Sequence, residues 1–317
     1  MQDRNFKGHA ALFVAYIIFG LNTPIAKKAL EHEELFSAQA LTFYRICGAA
    51  VLFWIVSLFT KRETVSFRDL ILLFTASLFG ISVNQMTFLA GLAETSPIDA
   101  SVIVTTAPIM TMILAAFILK EPVTWKKAIG VLIGASGALL LIFTGDTSKQ
   151  HQTNTVGNLL CLASVVSFSV YLTAFKQIIL KYSAVTIMKW MFLFAALCCL
   201  PVCWNDIVTV NYSGFTTDLY LEIIYIVAFA SFVAYLLLPI GQKLLRPTIV
   251  SMYNYIQPVV SSLVAVALGM DRFGWLKGSA TALIFLGVYI VTTSKSYAQL
   301  MAEKEKNLPS HKGEFEG

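Results

Sequence analysis

One stretch of this chain occurs twice, and the repetition limits what the whole can become. The copies run from Ser96 to Leu140 and from Arg246 to Ile290, 150 residues apart. Without a gap, Pro97 falls on Pro247, Ser101 on Ser251 and Pro108 on Pro258. Beyond the next turn Glu121 falls on Asp271, Trp125 on Trp275, Lys127 on Lys277 and Gly137 on Gly287. Each copy reads as two apolar helices joined by a short polar turn. The first helix opens on a proline, whose missing N–H breaks no bond there. A second proline midway removes the donor for the carbonyl four residues earlier. Matching punctuation at one fixed offset marks an internal duplication. If an odd number of membrane spans separates the copies, they are inverted relative to each other, the sequence mark of a carrier.

Composition decides that the helices are membrane spans. Hydrophobic residues make up 57% of the chain and charged residues 13%, with a mean hydropathy of +0.73. A soluble domain of this size would carry roughly twice that charged fraction. Most apolar runs reach about 20 residues, the length that crosses a hydrocarbon core as a helix. Ten spans are expected, near 9–29, 37–60, 68–90, 97–119, 125–144, 156–175, 184–204, 220–241, 247–269 and 274–294. The five cysteines all lie in apolar runs without metal-binding spacing, so neither a cofactor nor a metal is expected. Arg4 and Lys7 precede the first run like a signal peptide, but no small-residue cleavage site follows, so it reads as a retained span.

Charge gives the orientation. With an inside N-terminus, 16 of the 23 lysines and arginines fall in inside segments and 5 in outside segments, with Arg45 and Lys189 within spans. That bias follows the positive-inside rule and places both termini in the cytoplasm. The expected fold is therefore an all-α integral membrane bundle of ten transmembrane helices in two inverted five-helix repeats. Residues 1–145 form the first repeat, 146–155 a linker, 156–294 the second repeat and 295–317 a cytoplasmic tail. A multi-pass protein of the cell membrane, in a bacterium the inner membrane, is expected.

Further residues carry a family resemblance. They are Phe19-Gly20-Leu21-Asn22 with Lys27, Tyr44-Arg45, Ala107-Pro108, and Lys120-Glu121-Pro122-Val123-Thr124-Trp125 followed by Gly130 and Gly137. The second half repeats this more loosely, with Pro258, Met270-Asp271-Arg272-Phe273-Gly274-Trp275 and Gly287. Over about residues 9–294 the chain resembles the EamA-type branch of the drug/metabolite transporter superfamily. Asp271 stands where that family usually has glutamate, and no glycine matches Gly130. The resemblance implies two inverted five-span halves and export of amino acids, other metabolites or toxic compounds through a central cavity. It specifies fold better than substrate.

The residues themselves suggest where a substrate would sit. Pro108 and Pro258 should kink spans 4 and 9 and free the carbonyls of Val104 and Asn254, a cost in hydrocarbon unless a partner or a water-lined cavity meets them. Ser101 and Thr105 share a helical face with the first kink, as do Ser251 and Tyr255 with the second. Asn22, Asn84 and Gln85 should face the bundle interior, because a lipid-facing amide lacks partners. Tyr171 and Tyr235 complete the candidate set. Each of these also suits plain packing or helix–helix hydrogen bonding. Arg45 either holds a substrate carboxylate or caps neighbouring carbonyls and snorkels, the commoner role for a lone arginine. Gly130, Gly134 and Gly137 in span 5, and Gly278 and Ala282 in span 10, permit close helix approach within one chain or across a homodimer.

Rival functions lack their machinery. Gly134-Ala135-Ser136-Gly137 matches the GxSG of intramembrane serine proteases, but the four histidines lie at span ends, in loops or in the tail, where none can serve Ser136 as base. No phosphate-binding loop is present for an ATP-driven pump, no pore repeat for a channel and no signalling domain for a receptor. No carboxylate is expected near mid-membrane, which favours a neutral or zwitterionic substrate over an organic cation. The sequence therefore points to a secondary transporter, an exporter of an amino acid or similar metabolite, with a small-molecule substrate and the lipid bilayer as partners.

Overall fold

The computed structural model describes residues 2–32, 34–95, 100, 103–143, 155–267 and 275–294. Ser101, Pro97, Asp99, Asp271 and the tail from residue 295 lie outside them. The described part is all helical. Helix α1 spans Gln2–Leu30, α2 Ala38–Ser57, α3 Phe67–Glu94, α4 Ala107–Ile118 and α5 Trp125–Phe143. In the second half α6 spans Thr155–Ala174, α7 Ala184–Val208, α8 Thr217–Leu244, α9 Pro247–Met252 continued by Ile256–Ala267, and α10 Trp275–Thr292. Six of these (α1, α2, α3, α6, α7 and α8) are long and apolar enough to cross a membrane. Their outward faces carry Val51, Leu197 and Ile224, and α5 and α10 likewise expose Leu132 and Phe285. So large an apolar exterior fits hydrocarbon and not water. The protein is a multi-pass membrane protein.

The halves match in how helices begin and break. Ser37 and Ser183 cap α2 and α7, and Ser66 and Thr216 cap α3 and α8, each hydroxyl accepting a backbone N–H of the first turn. Helix α3 widens to π-helix at Leu78–Ser82 and α8 at Ile226–Val233, which overlap at the 150-residue offset. A π-turn leaves a carbonyl without its usual donor. The Ser167 hydroxyl donates to Phe79 C=O (2.7 Å), and the Ser231 hydroxyl donates to Ile226 C=O (2.8 Å).

The proline helices are interrupted rather than smoothly kinked. Pro108 stands in the first turn of α4, after a turn at Thr105 and Thr106. In α9 a 3-10 turn at Tyr253–Tyr255 precedes the segment that contains Pro258. Proline fits a first helical turn, where its missing N–H breaks no bond.

Packing interlocks the halves. Helix α1 lies against α8 and α9, while α6 lies against α3 and α4. The pairs α2–α7 and α5–α10 join corresponding helices. At the α5–α10 crossing, a methyl group on Gly287 would come within 2.5 Å of Gly134 N and 2.6 Å of Gly130 O. These glycines are thus used within one chain, whereas Ala282 of α10 is exposed.

Candidate functional site

The interrupted helices and the middles of α1, α2, α3, α6 and α8 surround a cavity of about 110 Å3. Six residues expected there from the sequence line it: Asn22, Arg45, Asn84, Gln85, Tyr235 and Asn254. Four others do not. Tyr171 is buried, donating to Gln242 Oε1 (3.1 Å) and packing its ring on Gly80. Ser251 is turned back onto its own helix and donates to Thr248 C=O (2.9 Å). Tyr255 points into the α5 contact, where it donates to Val131 C=O (3.1 Å) and lies against Gly134. Thr105 is buried in the α4 turn beside the lining residue Val104. Ser101 lies outside the described residues. The expected face fails because the 3-10 turn and the Thr105–Thr106 turn rotate the chain off a 3.6-residue repeat.

Several lining residues were not singled out as site candidates: Tyr16, Phe19, Phe88, Phe168 and Gln257. The repeat could have found most of them. Phe19 falls on Phe168 and Tyr16 on Val165 at an offset of 149, while Gln85 falls on Tyr235, Val104 on Asn254 and Ala107 on Gln257 at 150. All ten line the cavity. Its frame is therefore symmetric, but its polar groups are not.

Those groups differ in how far they are satisfied. Asn84 donates to Ser164 C=O (3.0 Å) and Oγ (2.8 Å), tying α3 to α6. Asn254 donates to Ser251 C=O (3.0 Å) and accepts from Gln257 Nε2 (2.9 Å), so its amide repairs its own broken helix. By contrast, Tyr16 Oη and Asn22 Oδ1 are buried without a hydrogen bond. The Gln85 amide stands beside Tyr235 with no hydrogen bond of normal geometry at either end. Such groups cost of order 1–3 kcal/mol each unless something polar enters.

Among the described residues that line the cavity only Arg45 is charged. It is 4% exposed, and its Nε–H donates to Ser231 Oγ (3.0 Å) in the α8 π-turn. The ion pairs among the described residues, Lys28–Glu222, His32–Glu34, Lys127–Glu121 and Lys181–Asp69, leave it out.

Polar contacts tie helices together at the two ends of the bundle. At one end Lys27 of α1 donates to the last carbonyls of α3, Leu92 (2.9 Å) and Ala93 (3.3 Å). At the other, Lys176, just past α6, donates to Leu245 C=O after α8 (2.7 Å). The two lysines are partners at the 149-residue offset, each capping the third helix of its own half. Burial pushes the Lys176 ammonium down to about 8, against the attraction of Glu121. Near Lys176, His9 Nδ1 and Tyr253 Oη share a hydrogen bond of 2.6 Å between α1 and α9. Partial burial raises the Glu63 carboxyl, but hydrogen bonds from Thr186 and from the Ser183 amide and hydroxyl outweigh it and hold Glu63 below its ordinary value.

A helical membrane bundle whose two interlocked repeats together frame a cavity has the architecture of a membrane transporter. Within that class the chain belongs to the EamA-like transporter family, whose model matches residues 6–143 and again 155–293. An uncharacterized transporter of Archaeoglobus fulgidus is 26% identical over 272 residues, covering 86% of this chain and 95% of that protein. The Bacillus subtilis uncharacterized transporter YetK is 21% identical over 310 residues, covering 97% and 94%. A WAT1-related protein of Arabidopsis thaliana is 26% identical over 163 residues, 42% of this chain and 46% of its own. A solved crystal structure superposes with a TM-score of 0.72 at 18% identity, over 92% of this chain and 98% of its own, a likeness of fold.

Proposed function

We propose that this transporter works by alternating access and moves a small neutral or zwitterionic metabolite, an amino acid or a compound like it, outward across a bacterial inner membrane. In this reading ten helices cross the bilayer, both termini are cytoplasmic, and residues 1–145 and 156–294 are the inverted repeats, joined by 146–155 and followed by the tail from 295. The observation that carries it is the position of the cavity, between the interrupted helices α4 and α9 and lined by matched residues of both halves. Rocking one half against the other would expose such a site to each side in turn. The unequal polar lining supports a polar solute with an apolar body. An enzyme reading gains nothing from Ser136, whose hydroxyl donates to Ile133 C=O (2.8 Å) on an exposed helix face.

The experiment is counterflow in vesicles containing the purified full chain. Unlabelled amino acid inside should accelerate uptake of the labelled compound several-fold, as a carrier requires. Uptake that ignores the trans side would indicate a pore, and no uptake of any amino acid, amine or nucleoside would sink the reading.

A further inference from the structure

The chemistry of the cavity narrows the substrate further, on the assumption that the cavity is the transport site. We infer that the Arg45 guanidinium is a carboxylate anchor, so that the transported molecule must bear a free carboxylate beside an apolar or aromatic body.

Three features argue for this. Arg45 is a permanent charge held at 4% exposure, with no acidic partner among the described residues. An arginine in that position reaches the water interface, faces a polar cavity or meets an anion, because desolvated charge is costly. Here it does not reach out. Its Nε is fixed by Ser231 Oγ, and Ser231 is itself fixed by the Ile226 carbonyl of the π-turn. With Nε committed, the two terminal amino groups form the edge of the guanidinium left for a ligand, and that edge matches the two oxygens of a carboxylate. The π-turn thus acts as a positioning device for the anchor.

The other lining groups say what accompanies the carboxylate. Asn22 Oδ1 and Gln85 Oε1 are buried acceptors without a donor, which suits the ammonium of an amino acid. The rings of Phe19, Phe88 and Phe168 offer the apolar contact for its side chain. An amine without a carboxylate would add a second positive charge beside Arg45, and a neutral amide would leave the guanidinium unpaired.

The test uses matched compounds in the same counterflow assay: phenylalanine, 3-phenylpropionate, phenylalaninamide, phenethylamine and adenosine. The expected result is exchange of phenylalanine at least tenfold faster than of its amide or the amine. Arg45→Gln should abolish that preference, and Arg45→Lys should restore part of it. Ser231→Ala, which keeps the charge but frees Nε, should reduce the preference several-fold. If Arg45→Gln cannot be recovered folded, the wild-type acid-to-amide ratio and Ser231→Ala still decide. Equal exchange of acid, amide and amine, or a preference unchanged in folded Arg45→Gln, would overturn the anchor and leave the transporter reading intact. No counterflow with any of the five would also overturn this inference, and exchange of other amino acids in the same vesicles would then keep the transporter reading.

Discussion

Arg45 and Lys189 occupy corresponding places in α2 and α7, at an offset of 144, yet their surroundings are opposite. Arg45 turns inward, is bound by Ser231 and borders the cavity. Lys189 lies partly exposed over the rings of Trp54 (5.1 Å) and Trp190 (6.0 Å). The same inequality recurs at Gln85 and Tyr235, at Val104 and Asn254, and at Ala107 and Gln257. By contrast, the structural devices are shared: the capping hydroxyls, the π-turns, the helix breaks and the lysine caps. Duplication supplies the shared frame of the two halves, and divergence within that frame sets their polar groups apart. Residues that match across the repeat should therefore matter for folding, and residues that differ should matter for substrate.

The shared frame breaks most readily at the α5–α10 crossing. Gly287→Leu would drive a side chain into the backbone of Gly134 and Gly130, where neither helix can yield without moving the other. Overpacking usually costs about 1–3 kcal/mol and more where the obstacle is backbone. The expected outcome is loss of most folded, monodisperse protein after detergent extraction. Ala282→Leu, on the exposed face of the same helix, should leave the yield unchanged.

The unequal pair gives a smaller and more selective effect. Lys189→Gln should keep transport within about twofold of wild type. The contact it loses is a partly exposed cation–π pair worth about 0.5–1 kcal/mol. The same change at Arg45 should remove substrate selection. Measuring both under one assay separates a cavity charge from an interfacial one. Comparable losses would mean that position in the repeat matters more than side-chain surroundings.

How far the sequence reached follows the same division. The duplication and the interior placement of Asn22, Asn84 and Gln85 are legible, because offset punctuation and the cost of a lipid-facing amide are local rules. The orientation of α4 and α9 is not. Helical periodicity placed Ser251 and Tyr255 with Pro258 on one face, but the 3-10 turn at Tyr253–Tyr255 changes the angle per residue just there. Asn254 reaches the cavity while Tyr255 turns to Val131. The π-turns were invisible for a related reason, since nothing in an apolar run announces one extra residue in a turn. The surroundings of Arg45 are not legible either, because the Ser231 hydroxyl that holds its Nε lies 186 residues away along the chain.

The lysine caps allow the finest comparison, because they perform one task at opposite ends of the bundle. Lys176→Met leaves Leu245 C=O without its donor, and Lys27→Met does the same to Leu92 and Ala93. Each should lower stability by about 1–2 kcal/mol, as expected for a charge-assisted hydrogen bond at a partly buried site. Lys176 adds a dependence on pH. Its folded-state value is depressed to about 8 from the ordinary lysine value of 10.5. Between those values the unfolded chain binds more protons at this residue than the folded one, so stability rises as pH increases through that window. From pH 7 to 9 the gain is on the order of 1 kcal/mol before solvent screening reduces it, since one pKa unit is worth about 1.4 kcal/mol. Thermal unfolding of the wild type and of Lys176→Met, measured in one detergent at pH 7, 8 and 9, reads the difference directly. The wild type should gain on the mutant as pH rises, because a neutral amine still donates to Leu245 without the burial penalty. A constant gap across the three pH values would show that Lys176 stays charged and that its end of the bundle is wetter than its contacts suggest.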